Sequence, residues 1–265
     1  MTTLDSKLII DENKAINTIV AALKTYFIKN NIKKGVIGLS GGVDSSLVAF
    51  LAVKALGKEN IIGLIMPYKT NKPEDVSDAE NVAQILGIDY KKIEITPIVD
   101  RIKEVLEISD KIPLGNVAAR VRMITLYNEA WHQRGIVLGT GNKTELLVGY
   151  FTKYGDGGVD ILPIGDLYKT QVWKIAEAIG VPSKIVAKTP TAGLWAGQTD
   201  EGELGIDYKT LDKILVGLLE LKMSHSELAT ALKINEKIVK SIEKRIIESE
   251  HKRRLPQIIR VQPED

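Results

Sequence analysis

The 265-residue chain contains no cysteine, which excludes a disulfide framework, a thiolate-bound zinc and a cysteine nucleophile. It also lacks a surplus of charge. Its 36 Lys and Arg stand against 34 Asp and Glu, a formal net charge of +2, so no global basic field argues for wrapping nucleic acid or coating an anionic membrane. Any anion site must be local. No stretch approaches the roughly 18 uninterrupted apolar residues of a membrane span. The opening MTTLDSKLIIDENKAINTIV carries acids within its first dozen residues and no long apolar core, so it does not read as a signal peptide. Internal repeats and low-complexity linkers are missing as well. What remains, with 44% hydrophobic residues, is the composition of a folded chain with a sizeable core, expected to be a soluble cytoplasmic protein.

Residues 11–30 place Ile16, Ile19, Val20, Leu23 and Phe27 on one helical face behind acids that suit a helix N-terminus. Apolar, β-branched runs follow at Gly35–Leu39, Ile61–Met66 and Tyr90–Ile95, separated by helical patterns near 44–56 and 74–87. A long helix near 116–133 precedes a fourth run, Gly135–Leu138. Strands alternating with helices of this length predict an α/β fold with a Rossmann-like parallel sheet flanked by helices. One domain is expected over 1–265: a helical segment at 11–30, an α/β core at 31–188, and a loop and helical part at 189–265. Ligands of such sheets collect at the carboxyl ends of the strands. Two segments rich in glycine, GYFTKYGDGGVDILPIG at 149–165 and TPTAGLWAGQTDEGELG at 189–205, read as functional loops and candidate lids.

Two turns finish at that sheet edge. In IGLSGGVDSSL (37–47), Gly41 and Gly42 can turn successive N–H groups inward to form an anion nest. Yet Asp44 brings a negative charge, and the lysine of the common GxxxxGK[ST] loop is absent. A divalent metal resolves the conflict, because a carboxylate can hold Mg²⁺ and Mg²⁺ can hold phosphates. The alternative is a Gly-Gly turn with Asp44 as a helix cap. The second turn, GTGNKTE (139–145), ends in Glu145, a natural second carboxylate for that metal; alternatively Thr140 or Asn142 caps a short helix whose charge pattern Glu145 completes. Lys169 opens a helix, where a cation opposes the dipole, so an anionic ligand explains it better than helix stability.

The ordered set SGGVDSS, NVAARVRM, GTGNKTE, FTKYGDGG, TAGLWAGQTDE and HKRRLP resembles the NAD⁺ synthetases, within the larger group of ATP pyrophosphatases that share SGGxDS. The resemblance covers most of the chain. It implies conversion of deamido-NAD⁺ to NAD⁺: the nicotinate carboxylate attacks the α-phosphate of ATP, pyrophosphate leaves, and ammonia displaces AMP from the acyl-adenylate. It implies that Gly38, Leu39, Ser40, Gly41, Gly42, Val43, Asp44 and Ser45 cradle the pyrophosphate of ATP, with Asp44 and Glu145 on Mg²⁺. Thr140, Lys169 and Thr191 would complete the ATP site, and Asp44, Glu145 and Lys169 would be the catalytic residues. Arg120, Lys153, Asp160, His251 and Lys252 would contact deamido-NAD⁺. The resemblance further implies a homodimer with dinucleotide sites at the subunit interface.

The chemistry makes separate sense of these residue types. A carboxylate is a poor electrophile towards ammonia, and adenylating it brings an anion to a polyanion, so metal, lysine and oriented amides must neutralise the developing charge. The acyl-adenylate must then be kept from water. Family members that use glutamine carry an additional amidohydrolase domain with a cysteine nucleophile, so this chain is expected to use free ammonia. Three alternatives stand beside this reading: another amide-forming or thiolating ATP pyrophosphatase, a non-catalytic ATP-binding regulator, and a helix–turn–helix DNA-binding module at 224–245, where a helical hairpin would show the same apolar spacing. Arg120 and Arg122 face different sides of their helix, so one is read as solvated or ion-paired. His132 reads as structural, and HKRRLP can also be a solvated helix end.

Overall fold

The computed structural model describes residues 3–195, 197–259 and 261; residues 1–2, 260 and 262–265, at the ends of the expected domain, and Ala196, within an expected lid, lie outside the described residues. Four short strands form the sheet: Gly35–Gly38 (β1), Ile61–Ile65 (β2), Asp89–Lys92 (β3) and Ile136–Leu138 (β4). All pairings are parallel, in the order β3-β2-β1-β4. The helices are Thr3–Lys7 (α1), Glu12–Lys29 (α2), Val43–Leu56 (α3), Pro73–Leu86 (α4), Thr96–Val105 (α5), Lys111–Gln133 (α6), Lys143–Val148 (α7), Lys169–Ile179 (α8), Ser183–Val186 (α9), Asp200–Leu204 (α10), Tyr208–Leu219 (α11), His225–Leu232 (α12) and Glu236–Glu248 (α13).

Side chains alternate across the sheet, as the pleat requires. Ile37 of β1, with Ile61 and Ile65 of β2, faces a core built with α2, α3 and α8. Val36, Leu64 and Val137 face the opposite core, closed by α5 and α6 through Val99, Ala118, Val121 and Ala130. The sheet is therefore covered on both faces, which is why its central strands read as unbroken apolar runs. The expected apolar face of the N-terminal helix is the buried one: Ile16, Val20, Leu23 and Phe27 enter the first core.

Two departures from the sequence reading have local causes. The third strand ends at Lys92 instead of Ile95, and all four of its residues are exposed, as suits a sheet edge. The chain then turns so that buried Ile95 caps α5, a helix the strand–helix alternation did not anticipate although Pro97 lies in its first turn. The long helix α6 begins at Lys111, five residues before the expected start, because Pro113 is tolerated where its missing N–H has no intrahelical partner to lose.

The segment 224–245 folds as a helical hairpin on the rest of the molecule. Leu228, Ala229, Val239 and Ile242 are buried in a third core with Tyr208, Leu211 and Leu215 of α11. The approach is close, since a Cβ on Gly217 of α11 would overlap the Leu228 side chain.

Candidate active site

Strand order fixes where a ligand can enter. From β1 the chain crosses to β2 on one side, and from β3 it returns through α5 and α6 to β4 on the other. The turns after β1 and β4 diverge at this switch point and leave a crevice between them. A cavity of about 480 Å³ opens there, lined by both turns, α6 and the 189–199 loop.

The first turn has the geometry of a nest. Gly41 adopts φ +76°, and a Cβ on it would collide with the carbonyl of Asp75, so glycine is required on two counts. Gly42 is the N-cap of α3 and supplies no side-chain cap, which leaves N–H groups at that end of the helix for an anion. The Ser45 hydroxyl lies 3.2 Å from the Ser40 N–H and 3.0 Å from the Ser40 hydroxyl, and so braces the turn internally. Asp44 is not the cap. Its Oδ1 accepts a hydrogen bond from the Asn142 amide at 2.9 Å, and its Oδ2 lies 2.6 Å from Lys169 Nζ.

The second turn forms the helix cap considered for it, and one oxygen of Glu145 faces Lys169. Asn142 caps α7 by accepting from the Glu145 N–H at 3.0 Å, while Glu145 Oε2 accepts from the Asn142 N–H at 3.2 Å. The other carboxylate oxygen, Oε1, is 3.4 Å from Lys169 Nζ. Lys169 is 1% exposed and sits between the two acids. Burial alone would lower its pKa, but Asp44 and Glu145 outweigh burial and raise it, so the ammonium stays charged. Burial pushes the Glu145 carboxyl up to about 8 against the pull of Lys169.

Buried Asp212 of α11 holds this cluster from behind. Its Oδ1 accepts from the Thr144 hydroxyl at 2.6 Å, and its Oδ2 from the Thr170 N–H at 2.9 Å and the Thr170 hydroxyl at 2.8 Å. Thr144 in turn accepts from the Lys169 N–H at 2.9 Å. One carboxylate thus fixes the residues beside both Glu145 and Lys169.

Every residue expected at the ATP site lines the cavity: Gly38 to Ser45, Thr140, Lys169 and Thr191. The Thr191 hydroxyl also braces its loop, donating to the Gln198 carbonyl at 2.8 Å. The expected dinucleotide residues are spread more widely. Lys252 lines the cavity, with Nζ donating to the carbonyls of Gly149 at 2.7 Å and Phe151 at 2.9 Å. Lys153 donates to the His251 carbonyl at 2.7 Å, and Arg120 donates to the Lys153 carbonyl at 3.3 Å, so these three form a connected strip outside the cavity lining. Asp160 lies at the sheet edge, where its carboxylate accepts from the Val137 N–H at 2.7 Å and the Tyr127 hydroxyl at 3.1 Å. The HKRRLP segment is docked instead of being a purely solvated end: Arg253 donates to the carbonyls of Leu146 and Leu147 at 3.0 and 2.8 Å, at the carboxyl end of α7. His132 is exposed.

Four polar cavity residues were not assigned to the site from the sequence. Arg122 turns inward, donating to the Met66 carbonyl at 3.1 Å and to Asn71 Oδ1 at 3.0 Å, and burial lowers its pKa to about 10. Asn71 extends this contact to the 189–199 loop by donating to the Gly193 carbonyl at 2.9 Å. Asp200 is buried and takes a 3.0 Å hydrogen bond from the Tyr208 hydroxyl, while its buried Oδ1 has no hydrogen-bond partner among the described residues. Lys188 reaches the first turn from the start of the 189–199 loop.

Among known proteins, the family model described as NAD synthase matches residues 15–256. An NH3-dependent NAD⁺ synthetase of Pyrococcus furiosus is 58% identical, with 87% of this chain and 90% of the relative aligned. One of Methanosarcina acetivorans is 43% identical over 94% of this chain and 98% of the relative. Among solved structures, an NMN synthetase of Francisella tularensis superposes with a TM-score of 0.84 at 34% identity, covering 95% of this chain and 99% of the other. An NH3-dependent NAD synthetase of Campylobacter jejuni superposes with a TM-score of 0.81 at 29% identity, covering 95% and 100%. The chain belongs to the NAD synthase family.

Proposed function

We propose that this chain converts deamido-NAD⁺ to NAD⁺ using ATP and ammonia, through an adenylated deamido-NAD⁺, with release of AMP and pyrophosphate. The observation that carries this reading is the Asp44–Lys169–Glu145 cluster at the switch point, facing the cavity that all the expected ATP-site residues line. A polyphosphate lying over the Gly38–Ser45 nest would meet N–H groups at the start of α3 and the Lys169 ammonium near its α-phosphate. These groups are fixed in place before reaction, which is what stabilises developing charge. Asn71 holds the 189–199 loop at Gly193, and Gln198 braces it internally at Leu194, so the loop that lines the cavity would keep water from the adenylate.

Asp44 and Glu145 suit magnesium. Both turn a carboxylate oxygen towards Lys169 Nζ, and Mg²⁺ takes one or two carboxylates when phosphates and water fill the rest of its shell, so the pair is proposed to hold the ion beside the Lys169 ammonium. When bound there, it would neutralise charge on the phosphates. For the dinucleotide, Lys252 stands at the cavity and the Arg120–Lys153–His251 strip adjoins it. Asp160 is proposed to position this edge through Tyr127 and the Val137 amide.

A homodimer fits the surface of α6, where Ile124, Tyr127 and Trp131 share one face and are 61%, 36% and 82% exposed. Sedimentation of the purified chain as a monomer at micromolar concentration would remove that part of the proposal. Among the described residues no helix is long and apolar enough to cross a membrane. A cytoplasmic location is part of the proposal.

The test is an incubation with ATP, Mg²⁺, deamido-NAD⁺ and ammonium. NAD⁺ and AMP are expected in equal amounts, with little product when glutamine replaces ammonium. Nicotinate mononucleotide offered in place of deamido-NAD⁺ tests the acceptor, and faster amidation of the mononucleotide would overturn the assignment.

A further inference from the structure

The SGGVDSS turn has no lysine of its own, but the fold brings one to it from more than a hundred residues away. Lys188, between α9 and the 189–199 loop, places Nζ 3.2 Å from the Gly41 carbonyl. The same nitrogen lies 2.7 Å from Asp75 Oδ1, in the first turn of α4, and 2.6 Å from Asp78 Oδ2. Lys188, Asp75 and the turn all line the one cavity. Burial disfavours the charge on Lys188, but the two aspartates outweigh it and hold the ammonium protonated.

We propose that Lys188 is a phosphate-contacting residue, which receives the β- and γ-phosphates of ATP and then the leaving pyrophosphate at the turn after β1. The proposal rests on the reading of Gly38–Ser45 as the pyrophosphate cradle. In the adenylation step a carboxylate oxygen of deamido-NAD⁺ bonds to the α-phosphorus and the bond from that phosphorus to the α,β-bridging oxygen breaks. The electron pair stays on that oxygen, which departs with the β-phosphate. Negative charge therefore grows on the pyrophosphate, away from Lys169 and towards Gly41. A cation at Gly41 lowers the energy of that charge, a task a P-loop gives to its own lysine.

The local ion pairs allow Lys188 to turn towards a phosphate without stranding a buried charge. Asp78 is buried but keeps a second partner, Lys184, at 2.9 Å. Asp75 and Lys188 are themselves part-exposed, at 21% and 25% of their side chains, so Asp75 stays hydrated when its partner moves. The lysine stem has four rotatable bonds, and Nζ already lies at the nest. Lys188 also immediately precedes Thr189, so its hold on phosphate would anchor the start of the loop that lines the cavity.

The probe is inorganic pyrophosphate, measured by calorimetric binding and as a product inhibitor against ATP. Lys188→Met is expected to weaken pyrophosphate at least tenfold and to raise the KM for ATP similarly, with the KM for ammonium within twofold of the parent. Lys188→Arg should recover most of the loss. Lys184→Met, which removes a lysine from the same ion-pair cluster but not from the cavity lining, should leave pyrophosphate affinity within twofold. If Lys188→Met binds pyrophosphate like the parent while turnover falls, Lys188 only positions Gly41 and the proposal fails. Equal losses in Lys184→Met and Lys188→Met would overturn it as well, because the effect would then belong to the cluster's charge. A parent protein that binds no pyrophosphate would instead overturn the cradle reading itself. Lys188→Gln serves the same comparison should the Met variant not fold.

Discussion

Asp44→Asn is expected to lower kcat/KM for ATP by about 10³, or roughly 4 kcal/mol of transition-state stabilisation, the scale seen when one preorganised electrostatic group is removed from a reacting centre. The substitution preserves shape but removes a charge with two duties. Asp44 Oδ2 is the nearer partner of buried Lys169 at 2.6 Å, whereas Glu145 stands at 3.4 Å. Asp44 is also one of the two carboxylates proposed for magnesium. The loss should therefore fall on adenylation and appear as slow pyrophosphate release in a single turnover, with the circular dichroism of the fold unchanged. Activity within tenfold of the parent would remove Asp44 from the reaction.

Asp212→Ala should be the most damaging single change to stability among the residues behind the site. It would leave the buried Thr144 hydroxyl and the half-buried Thr170 hydroxyl and N–H without their acceptor. Unmade buried hydrogen bonds of this kind cost about 1–3 kcal/mol each before relaxation, so about 3 kcal/mol in total is expected. For a chain of this size that lowers Tm by about 6–12 °C. Thr144 also fixes the Lys169 backbone, so turnover should fall with stability. Asp212→Asn keeps one acceptor oxygen and should lose less. A Tm within about 2 °C of the parent for the alanine variant would show that the network contributes little.

These two residues illustrate what sequence could and could not reveal. Asp44 was legible because the chemistry sits within one turn: glycines, an acid and a missing lysine within a few positions pose a contradiction that only a counter-charge resolves. Glu145 was legible because a second strand end carried a second acid. Strands β1, β2 and β4 were legible from apolar runs that a doubly covered sheet demands. Asp212 was not, since an aspartate on a helix is ordinarily solvent-facing, and its role appears only when α11 packs behind α7 and α8. Arg122 is not told apart from Arg120 by pattern, because helical periodicity puts the two on different faces without saying which one meets the cavity. Lys188 and Asp200 flank the 189–199 loop, and their approach to the first turn and to Lys169 depends on how that loop folds back. The third strand was placed too late because a sheet edge needs no apolar run, so YKKIEI carried its hydrophobic signal past the ladder into Ile95.

The central claim is that the acceptor carboxylate is adenylated at this cluster before ammonia attacks. Deamido-NAD⁺ carrying ¹⁸O in its nicotinate carboxylate tests it most directly. Adenylation followed by ammonolysis transfers one labelled oxygen to the phosphate of AMP, which mass spectrometry will detect, and leaves pyrophosphate unlabelled. Label in pyrophosphate or orthophosphate, or unlabelled AMP accompanying NAD⁺, would contradict the account.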